Sequence, residues 1–290
     1  LLFLCVLLYR IFKREHNVHY AKLKLLSPRL AYVFAAIGCL LIINKHFRAY
    51  NIPRATLSTW DEYTIAKQNL KDRLAKPTSL AFSEVTANDE PQTYIVVIGE
   101  STSSWHMQLY GYARETNPKL MEIASELTVM DSVISPHVHT IVALDKILTL
   151  SSFENPTPEP NGSIIQLANQ AGFTTYWISN QRPVGLHESI PTILGSAAER
   201  THFMATDDYS FTIHDDSILP ALEEALQEPA SKKVIFVHLI GTHLKYEKRY
   251  PPSFNAFEDI PPSLKFQTEK AIAQTNTYDN AVRYNDYIMR

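Results

Sequence analysis

Glu100, Thr140 and His243 are the residues whose types and settings in this chain suit chemistry on an anion. Glu100 follows the apolar run Tyr94-Ile-Val-Val-Ile98 and a glycine, Gly99. Apolar, β-branched residues without polar alternation predict a strand covered on both faces, as in a parallel α/β sheet. Such sheets carry their chemistry at the carboxyl ends of the strands. A carboxylate placed there is a candidate metal ligand or general base. Thr140 precedes a run in which Ile141, Leu144 and Leu148 recur at helical spacing, which puts it at a helix N-terminus. One reading makes it an N-cap. The other makes its hydroxyl a nucleophile, because unpaired helix N–H groups and the helix dipole favour an anionic phosphate at that point. An alcohol of such high pKa then needs a metal or a base to lose its proton.

The third stretch, Val234 to Pro251, repeats the design: an apolar strand ends in His238 and His243 around Gly241. His243 lies in the loop and can reach over the site, whereas His238 is still within the strand and reads as structural. Lys245, Lys248 and Arg249 add positive charge that would steer an anionic phospholipid headgroup or form a solvated face. Ser101, Thr102, Ser103 and Ser104 are nucleophiles by type, but at the start of a turn their hydroxyls are expected to cap the next helix. His137, His139, Asp215 and Asp216 read as polar groups of loops. Asp279, Asn280 and Asp286, on a Tyr-rich helix, read as a solvated edge.

The elements that position these residues follow an α/β pattern after Pro91. Strands are predicted at Tyr94 to Ile98, Leu127 to Val133, Thr174 to Ile178 and Val234 to Leu239, with helices between them. Asn117 and Pro118 form an N-cap and first helical position. Ser163 with Gln166 makes a capping box before a helix that Gly172 stops. Asp216 to Gln227 reads as a helix with Pro220 in its first turn.

The net charge of -3 over 290 residues gives no reason to expect nucleic acid as a partner. The amino-terminal part differs from the rest. Leu1 to Leu8 is almost wholly apolar, a basic stretch runs from Arg10 to Arg29, and a second apolar block spans Leu30 to Ile43. Basic residues between two apolar blocks mark a cytoplasmic loop between membrane segments. The expected organisation is therefore a membrane anchor over 1–46, a linker within 47–90 whose stretch Leu57 to Leu74 is either an interfacial helix or an exposed linker helix, and a partial catalytic domain over 91–290. The chain starts without methionine, inside an apolar block, and is expected to be a fragment. Cys5 and Cys39 both fall in the apolar blocks, so a metal in the exported part would be held by oxygen and histidine ligands.

Taken together, these stretches resemble the phosphoethanolamine transferases, membrane-anchored members of the alkaline phosphatase and sulfatase superfamily. The resemblance rests on Ile98-Gly-Glu-Ser-Thr102, Tyr110-Gly-Tyr-Ala-Arg-Glu-Thr-Asn-Pro118, Pro136-His-Val-His-Thr-Ile-Val-Ala-Leu144, His238-Leu-Ile-Gly-Thr-His243 and Arg249-Tyr-Pro251, in the family's order, across about Gln92 to Tyr287. In form the first and third motifs are nearest the branch that modifies core heptose of lipopolysaccharide. The resemblance implies an α/β, sulfatase-like sandwich with a mostly parallel central sheet, preceded by membrane helices. It further implies transfer of phosphoethanolamine from phosphatidylethanolamine to a lipopolysaccharide or lipid A acceptor, on the periplasmic side of the bacterial inner membrane. By the same resemblance Glu100 is a zinc ligand, Thr140 is the nucleophile and a metal contact, and His243 holds the donor phosphate or a second metal.

The family completes its metal site with an Asp-His pair in a Ser-Asp-His-Gly motif beyond the stretch that matches Tyr278 to Tyr287. That motif is not in this sequence, so this chain by itself is expected to be inactive. The family's exported domains often carry disulfides, and none is possible here. A phosphoglycerol transferase or a sulfatase of the same superfamily is the enzymatic alternative, although the Cys/Ser-x-Pro-x-Arg motif of sulfatases is missing. A non-catalytic, membrane-tethered scaffold is the alternative from another class.

Overall fold

The structure is a computed structural model that describes residues 28–46, 64, 68, 71–72, 74–154, 161–181, 190–204, 212–262, 264–265 and 267–290. Two compact units are distinguished, Leu1–Thr64 and Ile65–Arg290. In the first, helix α1 (Pro28–His46) contains the second apolar block, and Val33, Phe34, Leu40 and Leu41 are exposed on it. Leu1 to Leu8 and most of Leu57 to Leu74 lie outside the described residues. Among the described residues no helix is long and apolar enough to cross a membrane.

The second unit alternates strand and helix: β1 (Gln92–Ile98), α2 (Pro118–Glu122), α3 (Thr140–Leu148), α4 (Ile164–Gln170), β2 (Thr174–Ser179), α5 (Ile190–Gly195), β3 (Arg200–Phe203), α6 (Leu219–Gln227), β4 (Lys232–His238) and α7 (Glu269–Met289). The four strands form one parallel sheet in the order β1-β4-β2-β3. Because side chains alternate across a strand, β2 and β4 feed two cores. Trp177 and Phe236 join Leu144, Leu148, Ile165 and Leu194 on one face. Tyr176, Ile178, Ile235 and Val237 join Ile218, Ala221 and Ala225 on the other.

Local sequence signals set several boundaries. Asn117 and Pro118 occupy the N-cap and first position of α2. Ser163 and Gln166 form a reciprocal capping box on α4, and Gly172, at φ 80°, turns the chain into β2. Pro220 sits in the first turn of α6, behind a short 3-10 segment, Asp215–Ile218.

Three expectations need correction. The strand before Glu100 is not covered on both faces. Among the described residues β1 is the edge of the sheet and is hydrogen-bonded only to β4; Tyr94, Ile95 and Val97 are exposed, and the second core contains no β1 residue. The stretch Leu127 to Val133 is irregular, with Met130 and Val133 exposed, and β3, a short polar strand, takes the far edge instead. Asp279, Asn280 and Asp286 are not a solvated edge: all three are buried on α7. Each meets groups that would otherwise lack partners. Asp286 accepts from Lys119 N–H at 2.7 Å and Leu120 N–H at 2.9 Å, capping α2 from another helix. Asn280 Oδ1 accepts from Ala256 and Phe257 N–H, both at 2.9 Å. Asp279 takes a hydrogen bond from Arg114 at 2.8 Å.

Candidate functional site

Glu100 emerges just past the carboxyl end of β1 and is 6% exposed. Thr140 is the first residue of α3, not its N-cap; that position belongs to His139, which makes no side-chain cap. The inward face of α3, Ala143, Leu144 and Leu148, is buried and fixes where the helix begins. The Thr140 hydroxyl is therefore aimed across at Glu100. It lies 2.9 Å from Oε1 and 2.8 Å from Oε2. A hydroxyl carries one proton, and here both carboxylate oxygens share it.

The turn after β1 holds Glu100 in place. Ser101 Oγ donates to Glu100 Oε1 at 2.7 Å. Ser101 itself has φ 54°, left-handed backbone that a non-glycine residue rarely adopts. Tyr278 clamps it, its hydroxyl donating to Ser101 C=O at 2.7 Å and accepting from Ser103 N–H at 2.8 Å. The hydroxyls after the strand thus brace the carboxylate instead of capping a helix; Ser103, at the next N-cap, makes no side-chain cap.

The loop after β4 grips the same residue from the other side. Thr242 donates to Glu100 C=O from Oγ1 at 2.7 Å and from N–H at 3.0 Å. Gly241 has φ 51°, and a Cβ there would come within 3.0 Å of the Glu100 nitrogen, so only glycine allows this approach. The buried Asp215 carboxylate accepts from Ile240 N–H, Gly241 N–H and Asn180 Nδ2, each at 2.9 Å. Burial pushes its pKa up, and the three hydrogen bonds work against that shift.

His238 is 1% exposed, with Nδ1 3.3 Å from Ser179 Oγ and Nε2 buried without a partner among the described residues. Burial pushes its pKa down to about 4, although the Glu100 charge pulls the other way. His243 is exposed in the loop, and among the described residues its ring makes no hydrogen bond to Glu100 or Thr140. Its carbonyl accepts from Arg249 Nε at 3.1 Å. Of the three residues singled out from sequence, then, Glu100 and Thr140 meet directly. Ser101 and Asp215, expected as a turn cap and a loop group, are supports of this site, as are Gly241 and Tyr278. A glycine just after an apolar strand was the one legible signal among them.

A carboxylate and a hydroxyl at one point are donors that zinc accepts, and they fit it in kind. They supply two of the four positions zinc usually takes. Among the described residues no group of three or more His, Cys, Asp or Glu forms a cluster that could hold a metal.

The sulfatase family model matches residues 92–290. The chain belongs to the sulfatase family. Within it, the chain is 35% identical over 231 residues to the phosphoethanolamine transferase EptC of Escherichia coli K12, covering 76% of this chain and 39% of that protein. It is 35% identical over 206 residues to the phosphoethanolamine transferase CptA of Salmonella typhimurium, covering 67% of this chain and 35% of that one. The chain thus spans well under half the length of these sulfatase-family relatives. The crystal structure of the C-terminal periplasmic domain of E. coli EptC in complex with Zn superposes with TM-score 0.64 at 34% identity, over 70% of this chain and 58% of that one. The sulfatase-like, mostly parallel fold is therefore shown independently of the motifs.

Proposed function

We propose that the protein of which this chain is part transfers phosphoethanolamine from phosphatidylethanolamine to a lipopolysaccharide acceptor, core heptose or lipid A, through a phosphorylated Thr140. The observation that carries this reading is the Thr140 hydroxyl set against both oxygens of Glu100 at 2.9 and 2.8 Å, at the start of a helix. Relatives named phosphoethanolamine transferase support the reaction class. A relative whose structure holds zinc supports the metal. Glu100 and Thr140 would hold the zinc, which supplies charge neutralisation and lowers the pKa of the hydroxyl. His243, exposed on its loop, is proposed to meet the donor phosphate.

The chain's own residues account for two displacements. Thr140 gives up the proton that faces Glu100, and its Oγ1 bonds to the donor phosphorus. The bond from phosphorus to the diacylglycerol oxygen breaks, and that oxygen leaves as an alcohol carrying the proton. In the second step an acceptor oxygen bonds to phosphorus, the phosphorus–Oγ1 bond breaks, and Thr140 regains a proton. The N–H groups of the first turn of α3, unpaired within the helix, face the anionic phosphoryl oxygens throughout. Ser101 and the Gly241 loop keep the carboxylate from turning away between steps. A membrane anchor and a periplasmic location accompany this reading, supported by the apolar blocks and by the relative described as a periplasmic domain.

The test is to give the full-length protein labelled phosphatidylethanolamine. Label is expected on Thr140, absent in Thr140→Ala, lost on chelation, and reduced by more than roughly a hundredfold in Glu100→Ala. Label that persists in Thr140→Ala, or that survives without metal, refutes the reading.

A further inference from the structure

Beside the Glu100 turn lies an open cleft of about 400 Å³, within the size range of ligand sites. Ser101, which also holds Glu100, lines it together with Ser103, Trp105, His106, Tyr246 and Tyr278. None of its lining residues carries a carboxylate, an ammonium or a guanidinium. Its walls are aromatic faces interleaved with hydroxyl, amide and imidazole groups. That mixture does not suit a phosphate, which calls for cationic groups. It suits a neutral polyhydroxylated ring, whose C–H faces pack on aromatic rings while its hydroxyls exchange hydrogen bonds with the polar groups between them.

One wall of the cleft is built with particular care. His106 Nδ1 is 2.7 Å from Oδ1 of Asp279, a side chain with no exposure. The same carboxylate accepts from Tyr112 OH at 2.9 Å and from Arg114 at 2.8 Å. Arg114, itself buried, reaches on to Asn276 Oδ1 at 2.7 Å and Asp259 Oδ1 at 2.9 Å. An ionised carboxylate only accepts, so Nδ1 of the imidazole is the donor, and in the neutral ring Nε2 is left as an acceptor. Tyr112 and Tyr278 pack on the ring with centroids 5.0 Å away, fixing its plane. The His106 side chain is still 31% exposed and lines the cleft. Next to it Trp105 is 86% exposed and joins none of the hydrophobic cores among the described residues.

We infer that this cleft binds the sugar of the acceptor, with Trp105 and Tyr246 as packing faces and His106, oriented by Asp279, as acceptor of a hydrogen bond from a sugar hydroxyl. The inference rests on the transferase reading only in calling the sugar an acceptor. The cleft adjoins the reacting pair through Ser101, which lines it and donates to Glu100 Oε1, so a ring bound there lies beside the pair.

The test is calorimetric titration of the full-length protein in lipid nanodiscs with a phosphate-free core oligosaccharide, and separately with inorganic phosphate. Saturable binding of the oligosaccharide is expected, weakened roughly five- to tenfold in both Trp105→Ala and His106→Gln. Trp105→Ala removes an exposed side chain and so reports on the cleft even where His106→Gln disturbs the Asp279 network. No saturable oligosaccharide binding, binding that both variants leave unchanged, or binding of phosphate alone overturns the inference. Labelling of Thr140 from phosphatidylethanolamine is scored on the same wild-type preparation. Sugar binding without labelling keeps the sugar site and sinks the transferase reading. Labelling without sugar binding does the reverse.

Discussion

β1 and β4 are adjacent, parallel and seven residues long, paired from Gln92–Lys232 to Ile98–His238, and their sequences QTYIVVI and KKVIFVH look alike. Their environments are not alike. β4 has neighbours on both sides, and from Lys233 to His238 every residue is buried; β1 has a neighbour on one side and exposes Tyr94, Ile95 and Val97. The ionisable groups at their ends differ in the same sense. His238 is sealed in and driven neutral, whereas the Glu100 carboxylate is set among the hydroxyls of Ser101 and Thr140. Among the described residues the central strand is packed from both sides, and the edge strand leads to the carboxylate that meets Thr140.

The largest effect that would break this contrast is on stability. Phe236→Ala removes a fully buried ring from the packing with Trp177, whose centroid is 6.0 Å away, and is expected to cost about 3–5 kcal/mol. Ile95→Ala, on a side chain 46% exposed, is expected to cost about 1 kcal/mol. Urea unfolding of both variants measures the difference. Equal costs would mean that the outer face of β1 is covered as fully as that of β4.

Next in size is the pH dependence of β4. His238 has its pKa lowered from 6.5 to about 4, so the unfolded chain binds the proton more readily than the folded one. Its contribution is intact above pH 6.5 and is lost as pH falls toward 4, by up to roughly 3 kcal/mol. Asp215 and Asp286, raised by burial, act in the opposite direction over the acid range. The measurement is therefore the difference between wild type and His238→Leu in urea unfolding at pH 7 and pH 4.5. A difference that does not change with pH would show that the buried imidazole is charged or hydrated.

What could be read from the sequence divides along the same line. The strands of the sheet centre and the capping box at Ser163 follow from local pattern: apolar runs, turn residues and helical spacing. The joining of Glu100 with Thr140 follows only from the resemblance to a family, since local pattern places each of them separately. The position of a strand in the sheet does not follow from local pattern, because apolar β-branched residues fit an edge as well as a centre until its neighbours are known. Nor does the burial of Asp279, Asn280 and Asp286. A polar residue on a helix is solvated by default, and it turns inward only when distant groups such as Arg114 or the first N–H groups of α2 need a partner. His106 was missed for that reason: its role depends on Asp279, 173 residues away.

The two strands meet where the Gly241 loop presses on Glu100, and two smaller substitutions separate their contributions there. Gly241→Ala places a Cβ 3.0 Å from the Glu100 nitrogen at a positive φ, so the loop or the Glu100 backbone has to move. The expected cost is about 1–3 kcal/mol of stability, together with displacement of the carboxylate from Thr140. Ser101→Ala leaves the backbones as they are and removes only the 2.7 Å hydrogen bond to Oε1. Its expected cost is about 1 kcal/mol, and the carboxylate becomes freer to rotate while Thr140 still faces it. Thr140 labelling should then slow by roughly fivefold in Ser101→Ala and by much more in Gly241→Ala. If Ser101→Ala were the slower of the two, the carboxylate would be held by its own turn, and the central strand would do no more than lie beside it.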